Sequence, residues 1–146
     1  MRFAVAADHA GFRFKTIAAQ YLRELGHEVI DFGTGSEAPV DYPDFICPAA
    51  RAVAQGECDR GLIFGGSGNG EAMAANRTPR VRCGVAWDEE SARLTRQHND
   101  ANMISIGQRL VSETALKPIL DVWLTTPFEG GRHVGRIAKL DLPPCS

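Results

Sequence analysis

Short apolar runs alternate with segments of helical spacing along the whole chain, and that alternation leaves few folds open. Residues 3–7 (Phe-Ala-Val-Ala-Ala) read as a first strand, and Ile17, Ala18, Tyr21, Leu22 and Leu25 then recur at helical spacing until Gly26. Residues 28–32 form a second strand, followed by a turn-rich loop over 33–43 and a helix from Pro43 to about Gln55. Pro43 suits a first helical turn, whereas Pro48 is expected to distort the helix. Residues 61–64 enter the run Gly65-Gly66-Ser67-Gly68-Asn69-Gly70, and a short helix follows over 71–76. Residues 83–87 and 103–106 are the fourth and fifth strands. Asp88 is placed to cap the helix that reaches His98, and Ser112 to cap a helix carrying Leu116, Ile119, Leu120 and Trp123. A last helix spans about 131–140. Five strands alternating with helices predict an α/β fold, a parallel sheet with helices on both faces. Ligands of such sheets sit beyond the carboxyl ends of the strands.

At 146 residues the chain is one domain, 1–146, long enough to bury a core without staples. A formal net charge of -2 argues against a general nucleic-acid binder, though not against a small anionic ligand. No stretch approaches the ~20 apolar residues of a membrane helix. Cys47, Cys58, Cys83 and Cys145 make no CxxC pair, which fits reduced thiols in a cytosolic, cytoplasmic protein. The terminal segment 141–146 is Pro-rich and reads as a tail or an arm on a partner subunit.

The glycine run is the strongest local signal. Four glycines in six positions after a strand cost backbone entropy. Such a loop is either a tight strand–helix turn or a set of N–H groups converging on an anion. It is neither a Walker A loop nor GxGxxG. Glu71 follows it at once. A carboxylate in a first helical turn complements the helix dipole. Beside amide donors it is also what proton abstraction α to a carbonyl requires, the donors holding the enediolate oxygen. Ser67 is a turn residue or a further donor. His9, after Asp8, either caps the following helix or serves phosphate binding or proton shuttling. His98-Asn99 has the form of a helix C-terminus with a favourable histidine and an Asn C-cap. Arg132 and Arg136 stand four apart on one helix face, a surface pair or a fork for one phosphate. Arg109, after the fifth strand, could join them. His27 and His133 have no comparable setting.

Together these pieces resemble the family of ribose-5-phosphate isomerase B and galactose-6-phosphate isomerase. The resemblance rests on Asp8-His9-Ala10-Gly11, Asp41-Tyr42-Pro43, the 65–70 loop, Ala74-Ala75-Asn76-Arg77, His98-Asn99, Ile106-Gly107-x-Arg109 and Arg132-x-x-x-Arg136, and covers nearly the whole chain. It implies a Rossmann-like three-layer αβα sandwich and a homodimer with shared active sites, assembled into tetramers in some members. Many members carry a catalytic Cys where this chain has Gly65. The chain is similar to a subgroup that uses a Glu just after the loop, here Glu71.

Position by position, the resemblance assigns Glu71 the proton transfer between C1 and C2. It gives the amides of Gly66, Gly68, Asn69 and Gly70, with Ser67, the enediolate. Asp8 and Tyr42 would contact sugar hydroxyls, His98 would assist ring opening, and Asn99 would touch the reacting oxygens. His9, Arg109, Arg132 and Arg136 would surround the phosphate of a sugar-phosphate substrate. No metal and no cofactor is expected. The leading expectation is interconversion of D-ribose 5-phosphate and D-ribulose 5-phosphate. Two rivals stand: isomerisation of an allose, galactose or tetrulose phosphate, and a non-catalytic module of flavodoxin-like architecture that binds sugar phosphates or nucleotides.

Overall fold

The computed structural model describes residues 1–143; Cys145 and the end of the expected tail lie outside the described residues. Eleven elements follow in order: β1 (Arg2–Ala7), α1 (Phe12–Glu24), β2 (Glu28–Asp31), α2 (Tyr42–Ala54), β3 (Arg60–Gly65), α3 (Asn69–Asn76), β4 (Cys83–Ala86), α4 (Glu89–Asn99), β5 (Met103–Gly107), α5 (Glu113–Thr125) and α6 (Arg132–Leu140). The five strands pair in parallel in the order β2-β1-β3-β5-β4. This is the Rossmann-like sandwich the resemblance implies. The order reverses between β1 and β3, which puts the switch point, and the crevice it creates, at their carboxyl ends.

The period-two alternation of each strand feeds two cores. Phe3, Val5, Leu62, Phe64, Ile104 and Ile106 point to the side covered by α1, α4 and α5, around the fully buried Trp123. Ala4, Ala6, Ile63 and Met103 point to the side of α2 and α3, against Ile46, Ala49 and Val53. Small residues dominate this second core, so α2 and α3 lie close to the sheet.

Local chemistry accounts for the element ends. Asp88 caps α4 in a reciprocal box: its carboxylate accepts from the Ser91 amide at 2.7 Å, and Ser91 Oγ accepts from the Asp88 amide at 3.1 Å. Ser112 takes the N-cap position of α5 as expected, but its hydroxyl makes no cap hydrogen bond and meets Thr114 Oγ1 at 3.3 Å instead. Asn99 is the last helical residue of α4, and Asp100 takes the left-handed C-cap position. Pro48 sits inside α2 without ending it, its neighbours Ile46, Ala49 and Ala50 being anchored in the core. Asp141, the first residue of the expected tail, pairs with Arg82 at 3.3 Å. Cys47, Cys58 and Cys83 are free thiols. Among the described residues no helix is long and apolar enough to cross a membrane.

Candidate active site

β1 delivers Asp8 to the switch point. Its Oδ1 accepts from the amides of Ala10 at 2.9 Å and Gly11 at 3.1 Å, an Asx turn that fixes the carboxylate. β3 ends at Gly65, and α3 brings Glu71 back over it. A Cβ built on Gly65 would stand 1.9 Å from Glu71 Oε1 and 2.4 Å from Oε2. The carboxylate therefore occupies the volume that any side chain at position 65 would need. Glu71 is 4% exposed and Asp8 8%. Burial pushes the Glu71 carboxyl above its usual range, a backbone hydrogen bond pulls it back in part, and the nearby Asp8 carboxylate pushes it further up.

The glycine loop beside them is held by its carbonyls. Gly65 O accepts from the Gln108 amide at 2.8 Å, Gly66 O from Arg109 at 3.0 Å, and Gly68 O from the buried Ser105 hydroxyl at 2.7 Å. Gly68 has φ of +83°, and a Cβ there would also crowd Ser105 Oγ at 3.0 Å. With the carbonyls committed to the β5 side, the amides of Gly66, Ser67 and Gly68 have no acceptor among the described residues. Such amides suit a developing oxyanion. Ser67 Oγ accepts from the Asn69 amide at 3.2 Å, a turn role that leaves its O–H free to donate.

Three further expected residues border this loop. The Tyr42 ring lies against Gly70, its Cζ 2.8 Å from where a Cβ would be. The Arg109 guanidinium lies over Gly66. His9 Nδ1 accepts from the Val40 amide at 3.1 Å, which ties the 33–43 loop to β1 and leaves the ring proton on Nε2.

His98, Asn99, Arg132 and Arg136 lie elsewhere. α4 starts at the carboxyl end of β4 and runs back, so its last turn lies at the amino end of the sheet. There Arg82, the residue before β4, donates to Asn99 O at 2.9 Å. A strand of five residues spans about 16 Å, the separation this topology sets between the two groups in one chain. His98, Asn99 and Arg136 line a cavity of about 340 Å³ with His133, Ile137 and Leu140. Arg132 opens α6 beside them. Of the four residues expected around the phosphate, His9 and Arg109 stand at the loop, and Arg132 and Arg136 stand at the far end of the same chain. The structure also gives His133 a setting, contrary to expectation. His133 is the one buried residue of α6, and its ring stacks on His98 with centroids 4.6 Å apart. Burial, then the charge of Arg132, holds its imidazole below the usual histidine range, with Glu129 acting the other way. The signal that could have found it is its register: His133, Ile137 and Leu140 stand at i, i+4 and i+7, one face of an amphipathic helix.

Fold and site define a class: a doubly wound α/β protein with a buried carboxyl pair set against an amide-lined loop at its switch point. Residues 3–140 match the ribose/galactose isomerase family, and the chain belongs to that family of isomerases. It is 43% identical to ribose-5-phosphate isomerase B of Escherichia coli over 139 residues, covering 95% of this chain and 93% of that one. It is 40% identical over 141 residues to YwlF of Bacillus subtilis, provisionally named a sugar phosphate isomerase, covering 96% of this chain and 95% of YwlF. The structure of Clostridium thermocellum ribose-5-phosphate isomerase B superposes with a TM-score of 0.95 at 43% identity, covering 97% of this chain and 95% of that one.

Proposed function

We propose that this protein is a cytosolic aldose–ketose isomerase that interconverts D-ribose 5-phosphate and D-ribulose 5-phosphate, needing no metal, in a homodimer whose sites are each built from two chains. The observation that carries the chemistry is the Glu71 carboxylate, buried beside Asp8 and next to free loop amides. His98 donates a proton to the ring oxygen as its bond to C1 breaks, and the C1 hydroxyl gives its proton to water, leaving the open-chain aldehyde. Glu71 takes the proton from C2, and the electron pair moves toward the carbonyl oxygen at C1. The amides of Gly66, Ser67 and Gly68 hold the cis-enediolate that results. Glu71 then returns the proton to C1, while the Ser67 hydroxyl passes a proton from the C2 oxygen to the C1 oxygen and Asn99 holds both oxygens by hydrogen bonds. Asp8 and Tyr42 hold the sugar hydroxyls. His9 and Arg109 reach the phosphate from the loop side, Arg132 and Arg136 from the other.

The separation of the two groups supports the dimer. One chain cannot place His98 and Arg136 on a substrate seated at Glu71, because the two groups stand at opposite ends of the sheet, about a strand length apart. A second copy can. Each group is rimmed by exposed apolar side chains, Tyr42 and Met73 at the loop, Val134 and Leu140 on α6, as a contact between copies requires. The test is subunit complementation. Glu71→Gln and His98→Ala are each prepared, then unfolded and refolded together. Random pairing of equal amounts leaves one intact site in half the dimers, so about a quarter of wild-type activity returns. If each site lies within one chain, mixing restores nothing.

YwlF favours a second reading of the substrate, because its name specifies no sugar. An assay with EDTA present, comparing ribose 5-phosphate with allose 6-phosphate, galactose 6-phosphate and erythrose 4-phosphate, separates the two. Turnover of only another sugar phosphate keeps the mechanism and changes the substrate. Binding without turnover of any supports the binding-module rival.

A further inference from the structure

The stretch between α5 and α6 is fastened to the end of α4. The Glu129 amide donates to Gln97 O at 3.1 Å, and the His133 amide to Gly130 O at 3.2 Å in the first turn of α6. This brings His98, Glu129 and His133 together, one nitrogen or oxygen from each lying within 4.8 Å of the other two. His133 is 5% exposed, yet its Nε2 has no hydrogen-bond partner among the described residues. A buried ring nitrogen left without a partner points to a missing ligand.

The nearest acceptor decides what kind of ligand. Glu129 Oε2 stands 3.6 Å from His133 Nε2. That is too long for a hydrogen bond. Two ligand atoms bound to one tetrahedral zinc, each about 2.1 Å from it, stand about 3.4 Å apart. The observed gap therefore matches a shared metal better than a direct bond. Two imidazoles and one carboxylate are a zinc donor set, with a fourth position left for water. Hard cations that prefer all-oxygen cages are poorly served by it. Arg132 and Arg136 oppose any cation here, and the Glu129 charge offsets them only in part.

We propose that His98, Glu129 and His133 form a binding site for a borderline divalent cation of the zinc type. On the functional reading above, a metal held there occupies a His98 nitrogen and keeps the ring from taking up the proton that ring opening needs, so the site is inhibitory. Binding itself does not depend on that reading.

Two measurements test this. Metal-stripped protein is titrated with Zn²⁺ against a chromophoric chelator, with Mg²⁺ as a competitor. The expected result is one Zn²⁺ per chain, undisturbed by Mg²⁺ at equal concentration. Glu129→Gln and His133→Asn each weaken it at least about tenfold, as loss of metal-site groups does, and His27→Ala leaves it unchanged. No stoichiometric binding, or unchanged affinity in Glu129→Gln, overturns the site. Glu129 is exposed, so that variant decides the matter even if His133→Asn fails to fold. In the second measurement Zn²⁺ inhibits isomerisation, EDTA restores it, and Glu129→Gln escapes. Inhibition equal in Glu129→Gln and wild type overturns the inhibitory role. If no sugar phosphate is turned over at all, the functional reading fails while the titration still decides the metal site.

Discussion

At the carboxyl ends of β1 and β3, Asp8 and Glu71 are buried, and the loop between them is tied down by the hydrogen bonds of Gln108, Arg109 and Ser105. At the meeting of α4 and α6, Asn99, Arg132 and Arg136 are exposed, His98 is half-buried, and His133 is the one buried residue that α6 contributes. The difference follows from where each group sits. The first lies in the crevice the sheet topology creates, where the carbonyls of Gly65, Gly66 and Gly68 are committed to β5-side donors and the amides of Gly66, Ser67 and Gly68 are left free among the described residues. The second lies on a helix that packs on α4 rather than on the sheet, and nothing in one chain forces its side chains into place. A rigid half sets the reacting atoms. An open half awaits the ligand and, on the proposed reading, the other subunit.

The sharpest way to break this contrast is to remove the rigid half's base. Glu71→Gln keeps the shape and loses the carboxylate, and turnover is expected to fall at least ~10²-fold with little change in KM. Near-normal kcat would overturn the base assignment. Gly65→Ala attacks the same half without touching a reacting group. Its methyl would need the volume of the Glu71 carboxylate, 1.9 Å from Oε1. Displacing that carboxylate by an ångström is expected to cost about 10²-fold in kcat. A crystal structure of the variant with Glu71 unmoved, or unchanged kcat, would show that the close fit does not matter.

The open half should respond differently. Arg132→Ala and Arg136→Ala each remove a charge-assisted contact worth roughly 1.5–3 kcal/mol, about a ten- to hundredfold rise in KM for a phosphorylated sugar. Turnover of the unphosphorylated sugar should change far less. Equal effects on both substrates would argue against a phosphate clamp.

The two halves were also unequally legible in the sequence. Strand periodicity and glycine turns placed all five strands within a residue or two. The run from Gly65 to Glu71 was readable because backbone chemistry demands those residue types. The positions of His98, Arg132 and Arg136 relative to Glu71 were not, since local spacing says nothing about which end of the sheet a returning helix reaches. The role of His133 was hidden for the same reason: its contact with His98 joins residues far apart in the chain. Ser112 misled because a hydroxyl at the N-cap position caps only when its rotamer turns back to the helix, and here it turns to Thr114.

The smallest expected effect is a shift along the pH axis, and it separates the two halves most cleanly. Glu71 must be ionised to take a proton, so the acid limb of kcat/KM tracks its pKa. Burial first, and Asp8 second, raise that pKa above the ordinary carboxylate value. The limb should therefore lie at higher pH than an exposed glutamate would give. Asp8→Asn removes only the charge of the neighbour. It should move the limb to lower pH without bringing it down to the exposed value, because burial remains. Stability should follow with the opposite sign. A carboxyl raised in the folded state binds protons more tightly there than in the unfolded chain, so its contribution is fully present below pH 4.5 and is lost as pH rises through the folded value. Glu71→Gln should thus gain in melting temperature relative to wild type as the buffer is taken from pH 4 to pH 8. Arg136→Ala, at the exposed end, should leave both the limb and this difference where they are. A limb that moves equally in Asp8→Asn and Arg136→Ala would mean that the pH dependence belongs to the assembled site as a whole, and that the carboxyl pair does not act as a separate unit.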